Sequence, residues 1–183
     1  MTALSDLPLR QKFFLSITVL TGLFILLAYH TNIISWETLN LTIFFYGIGV
    51  PMLLLAQNTL IDLDNANIFK IWGVIAILFL IAYFLTKDNP SLTVRRSPDF
   101  VDIGINKLIA KGSTTAFKAL PLFLLFYWPL NYIVKKRTGN YIINTFRQFK
   151  WRHDIANREI DWYDVMINLF LAAVIIFASL FEV

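Results

Sequence analysis

The chain contains no cysteine. Disulfides, thiolate catalysis and cysteine-based metal centres are therefore excluded, whereas the redox compartment stays open, because a cysteine-free chain suits either side of a membrane. Charge is scarce as well. Asp, Glu, Lys and Arg make up 15% of the residues, against about 25% in a soluble domain. So few charges leave too little polarity to cover a water-exposed surface. The two histidines, His30 and His153, stand far apart with no carboxylate at ligand spacing, which argues against a metal site. No G-x-S-x-G, H-E-x-x-H, Walker or dinucleotide-binding glycine pattern occurs, and no inverted repeat of the transporter kind. No residue is assigned a catalytic, cofactor-binding or metal-binding role, and no motif carries a family resemblance.

Apolar residues are what the chain has in abundance: 57%, with a mean hydropathy of +0.63. Lipid is the natural solvent for such a composition. The expected fold is all-α, a polytopic transmembrane helix bundle of about five spans, forming one integral membrane domain over residues 1–183. The spans are read at about 13–29, 40–57, 68–86, 116–134 and 165–181. A helix needs about 20 residues to cross a hydrocarbon core of ~30 Å. The first two spans lie in long charge-free stretches. The others have only 16 or 17 residues between flanking charges. Lys70, Lys87, Lys118 and Lys135 are expected to snorkel and extend them. A barrel is excluded because the apolar runs are continuous, as in Ile77-Leu78-Phe79-Leu80-Ile81, instead of alternating with period two.

The ends of the spans carry helix punctuation. Ser35 with Glu37 suits the start of the second helix, Asp64 or Asn67 the third, Ser113 the fourth, and Asp161 with Asp164 the fifth. Trp36, Trp72, Tyr83, Trp128, Tyr132, Trp162 and Tyr163 lie near span ends and read as an aromatic belt. For Trp72 and Trp128, core packing is the competing reading. The first span follows Arg10 and Lys12 but lacks a small-residue cleavage site, so it reads as an uncleaved helix.

Loop charge sets the expected orientation. With the amino terminus inside and five spans, the inside holds 9 basic residues and the outside 5. The amino terminus is therefore expected in the cytoplasm, and the chain's small size points to a bacterial inner membrane. Two surface helices are also expected. Ser97-Pro98-Asp99 opens the first, over 98–111, which Gly112 stops. The second, over 141–158, is amphipathic with basic flanks. Lys135, Lys136, Arg137, Arg147, Lys150 and Arg152 are the candidate contacts to anionic headgroups or to a partner. The net charge of +4 is accounted for by such lipid contacts, not by nucleic acid.

No Asp, Glu or Arg falls deep within a span, which argues against a pump or voltage sensor. Thr18, Thr21, Thr42, Tyr46, Asn131, Asn168 and Ser179 are the polar residues inside the spans. Cross-helix bonds from such groups contribute about 0.6 kcal/mol each. Gly47, Gly49 and Pro51 in the second helix, and Pro121 and Pro129 in the fourth, are candidate kinks. Asp62 and Asp64 resemble a calcium loop only faintly, because its glycine and closing glutamate are missing. The chain thus reads as a non-catalytic membrane subunit that scaffolds, anchors or regulates an assembly. Its expected partners are the bilayer and other membrane subunits or a second copy, and no cofactor is expected. The alternative is a small pore, transporter or permeability effector gated by helices two and four, including an immunity protein against a toxin's pore. A lipid-acting enzyme is a third class, with His153, Asp154 and Arg158 as its place to look.

Overall fold

The computed structural model describes Leu7 and residues 9–56, 63–88, 113–139, 141–142 and 161–180. Among these residues the structure is all-helical. It contains α1 (Leu9–Thr31), α2 (Trp36–Ala56), α3 (Ala66–Thr86), a 3₁₀ turn (Thr115–Lys118) that runs directly into α4 (Ala119–Thr138), and α5 (Trp162–Leu180). Counting the 3₁₀ turn with α4, five helices are long and apolar enough to cross a membrane. The chain is accordingly a multi-pass membrane protein. At 1.5 Å per residue the 21 residues of α2 and of α3 reach about 31 Å, the thickness of a hydrocarbon core. The expected spans lie on these helices, but each helix begins two to four residues earlier than its apolar run, except the fourth, which starts one residue early as a 3₁₀ turn. Most of the extra residues are polar or aromatic, such as Arg10, Lys12, Trp36, Glu37, Asn67, Trp162 and Tyr163, which suit the headgroup region.

Lipid forces each hydroxyl in a span to find its partner nearby. Thr42, Thr86, Thr138 and Ser179 each donate to the carbonyl four residues back, at 2.7 to 2.9 Å. The helix ends follow the same logic. Ser35 accepts from the Thr38 N–H, as expected of a cap. At the start of α3 the cap is Asn65, which accepts from the Asn67 N–H at 3.0 Å, and not Asp64 or Asn67. Asp161 and Asp164 form the expected reciprocal pair: the Asp164 N–H donates to the Asp161 carbonyl and the Asp161 N–H to Asp164 Oδ2. α1 stops at Asn32, which adopts φ +52°, the left-handed geometry that asparagine tolerates better than most residues.

α2, α3, α4 and α5 pack around one another, and α1 lies on the outside against α2. The largest buried side chains are Trp72, Tyr127, Phe123, Leu39 and Ile43. Trp72 thus belongs to the core, while Trp128 is half exposed and packs tilted against Phe69, with the ring centres 4.8 Å apart. The outer surface is as apolar as the centre, with Leu20, Phe45, Val74, Leu125, Ile133 and Phe177 exposed. In water that surface would drive aggregation; in lipid it is solvated.

The start of the fourth span departs from the expectation. All of residues 113–120 are buried. Pro121 explains the local winding, because its ring would clash with the Phe117 carbonyl in an α-helix, and the chain before it winds as a 3₁₀ turn instead. Lys118 does not snorkel outward. It is 9% exposed, with Nζ 5.3 Å from the centre of the Tyr83 ring. Ser113 does not cap the helix but donates to Asn40 Oδ1 on α2. Both changes have one cause: the turn is driven into the bundle against α2, α3 and α5.

Candidate membrane and partner interface

The helices alternate in direction, so one end of the bundle gathers the starts of α1, α3 and α5 and the ends of α2 and α4. Arg10, Lys12, Lys70, Lys135, Lys136 and Arg137 lie toward this end, which is called the basic end below. Lys135, Lys136 and Arg137 form the last turn of α4, where the helix dipole favours cations. Gly139 closes that turn at φ +74° and donates its N–H to the Lys135 carbonyl at 2.9 Å.

Two of these cations are held in place. Lys135 Nζ donates to the Tyr141 hydroxyl at 2.7 Å and stands 4.4 Å from the centre of that ring. The Arg137 guanidinium carbon lies 3.8 Å from the centre of the Tyr163 ring on α5. All three basic side chains remain exposed. Stacking on an aromatic face orders a cation without neutralising it, so the charge is presented outward from a fixed place. Replacement of Tyr163 by Leu is expected to lower stability by about 0.5–1 kcal/mol, the value of an exposed cation–π pair. Equilibrium unfolding in detergent micelles measures it, and an unchanged midpoint would remove the contact's role.

A partly buried polar node lies within the same end. Asp64 Oδ1 accepts from the Tyr127 hydroxyl at 3.0 Å and from Asn131 Nδ2 at 2.6 Å. Asn131 Oδ1 in turn accepts from the Ile142 N–H at 3.0 Å. Tyr127 and Ile142 are each 1% exposed. The node joins the residue before the α3 cap to the inner face of α4 and to the chain that leaves α4. Asp164 is fully buried on α5, and its carbonyl accepts from Asn168 Nδ2 at 2.6 Å.

At the opposite end, Thr115 on the 3₁₀ turn donates to the Ser179 carbonyl of α5 at 2.5 Å, beside the Ser113–Asn40 contact. Between the two ends, the Tyr46 hydroxyl donates to the Thr18 carbonyl at 2.6 Å and ties α2 to α1. Of the span residues singled out in the sequence, Thr42, Tyr46, Asn131, Asn168 and Ser179 use their side chains for bonds within a helix or across to another element. Thr115, and the role of Asp64 as an acceptor for α4 instead of a helix cap, were missed, because neither lies in an apolar run and both resemble surface residues.

The candidate kink residues have separate surroundings. Gly47 and Pro51 are buried in α2, and Gly47 faces Ala116 of the 3₁₀ turn. Gly49 faces open space. Pro121 sits in the first turn of α4 and Pro129 lies exposed further along it. Among the described residues no group of three His, Asp or Glu side chains is placed to hold a metal ion. Arg147, Lys150, Arg152, the 98–111 helix, Asp62, His153, Asp154 and Arg158 lie outside the described residues. Of the 141–158 helix, Tyr141 and Ile142 are described and are not helical. No family model, curated protein or solved structure matches this chain.

Proposed function

We propose that the chain is a non-catalytic membrane subunit that scaffolds, anchors or regulates a membrane-embedded assembly, docking through its basic end. The observation that carries this reading is the last turn of α4, where tyrosines hold Lys135 and Arg137 while their charge faces outward. An exposed, ordered cationic surface is suited to anionic headgroups and to an acidic face of another membrane subunit. The interior favours a scaffold over a pore. Trp72, Phe123 and Tyr127 fill it, and Gly47 serves a close contact with Ala116. Mild solubilisation of native membranes, followed by size separation and mass analysis, tests the proposal. The expected result is a complex heavier than the 21.2 kDa chain that is lost on replacing Lys135, Lys136 and Arg137 together by Gln. A monomer throughout, with ion flux in reconstituted liposomes, would instead support the permeability reading.

The orientation proposed with this function puts the amino terminus and the basic end in the cytoplasm, at the cell membrane, with a bacterial inner membrane as the setting. Among the described residues six Lys and Arg lie toward the basic end and two, Lys87 and Lys118, toward the other, and the positive-inside rule orients such an asymmetry. The absence of native cysteine makes a clean test possible. A single cysteine in place of Lys136 is expected to resist a membrane-impermeant thiol reagent in intact cells and to react in inverted vesicles. One in place of Thr31 is expected to do the reverse. The opposite labelling pattern would overturn the orientation.

A further inference from the structure

α1 and α3 both run from the basic end to the opposite end, with α2 behind them, and a groove lies between them. Its α1 wall extends from Thr18 to Tyr29 and its α3 wall from Ile75 to Thr86. Tyr46, Phe79 and Phe117 contribute to its lining from behind. Gly22 and Ala82 thin the two walls. The lining is almost wholly apolar, and of its hydroxyls that of Tyr46 is bonded to the Thr18 carbonyl and that of Thr86 to the Ala82 carbonyl.

The geometry points to a binding site for one acyl chain of a bilayer phospholipid. Each wall covers eleven residue steps, a length of about 16 Å at 1.5 Å per residue. That is close to the hydrocarbon thickness of a single leaflet, about 15 Å. The groove also has the right placement. Thr18 and Ile75 lie near the middles of their helices, and Tyr29 and Thr86 at or near the ends, so it runs from mid-bilayer to one interface, as an acyl chain does. The groove reaches only from mid-bilayer to one interface, whereas a transmembrane helix of a second copy must cross the full ~30 Å of hydrocarbon, so the groove's length suits an acyl chain and not such a helix. A chain seated there packs against both walls and would hold α1, otherwise attached mainly to α2, in place against α3.

Native mass spectrometry of protein released from nanodiscs made of one defined dioleoyl phosphatidylcholine tests the site. The expected spectrum is a monomer carrying one phospholipid. Ala82→Trp, which fills the groove from α3, and Leu26→Trp, which fills it from α1, are each expected to cut the lipid-bound fraction about tenfold. Ile77→Trp, at an exposed α3 position outside the groove, is expected to leave it unchanged. A wild-type spectrum showing a bare monomer, a lipid-free dimer or a bound free fatty acid would overturn the proposal, whether or not the variants fold. So would equal retention in folded Ala82→Trp or Leu26→Trp and in the wild type.

Discussion

Gly47→Ala is expected to destabilise the bundle by about 3 kcal/mol, toward the upper end of the usual cost of overpacking. A Cβ added at Gly47 would stand 2.6 Å from the Ala116 Cβ and 2.7 Å from both the carbonyl carbon and the carbonyl oxygen of Ala116. Backbone atoms cannot rotate away, and residues 113–120 are buried on every side. Relief therefore requires α2 and the 3₁₀ turn to separate, which would loosen the Ser113–Asn40 and Thr115–Ser179 bonds with them. Gly49→Ala supplies the contrast. An added Cβ there meets nothing within 4 Å, so the substitution is expected to stabilise by about 0.5–1 kcal/mol through helix propensity alone. The same swap two residues apart should thus change sign. Adding Ala116→Gly to Gly47→Ala is expected to recover only part of the loss, since the carbonyl clash remains. Unfolding by graded sodium dodecyl sulfate in micelles measures all four proteins. A Gly47→Ala protein as stable as the wild type would show that the two segments do not touch there.

That sign change shows where the sequence stops being informative. Five apolar runs between charged loops are legible because a bilayer demands length and apolarity and little else. The Ser35 cap and the Asp161–Asp164 pair are legible because capping uses few residue types at fixed spacing. What hydropathy cannot give is the direction in which a residue points. A helix apolar on every side has no polar face to mark its exterior, so nothing in the sequence separates buried Trp72 from exposed Trp128, or Gly47 from Gly49. Polar residues at span ends raise the converse problem. Asp64, Ser113, Thr115 and Lys118 suit a wet loop by composition, yet the fold directs Asp64 onto α4 and inserts the other three among the helices. The candidate interface was half legible for the same reason. Lys135, Lys136 and Arg137 were visible as a basic run, but the tyrosines that hold two of them come from the next stretch of chain and from α5.

Asp64→Ala is expected to cost about 3 kcal/mol, several times the effect of a mid-membrane hydroxyl bond. The difference lies in the acceptor. Neutral bonds between membrane helices average about 0.6 kcal/mol, because the separated helices find other partners. Hydrogen bonds to a charged group contribute about 1.5–3 kcal/mol, and Asp64 Oδ1 receives two of them, from Tyr127 and Asn131. Removing the carboxylate takes from both donors an acceptor they reach inside the protein, and Tyr127 is only 1% exposed. It also releases the amide that holds the Ile142 N–H, so the path of the chain beyond α4 is expected to loosen. Tyr127→Phe removes one donor and is expected to lose about 1–2 kcal/mol, while Tyr46→Phe, which removes a neutral bond to α1, is expected to lose about 0.6 kcal/mol. In a double-mutant cycle, Asp64→Ala and Tyr127→Phe are expected to couple by more than about 1 kcal/mol, as contacting residues do. Strictly additive losses would mean that Asp64 does not accept from Tyr127, and the node would then not be what joins α3 to α4.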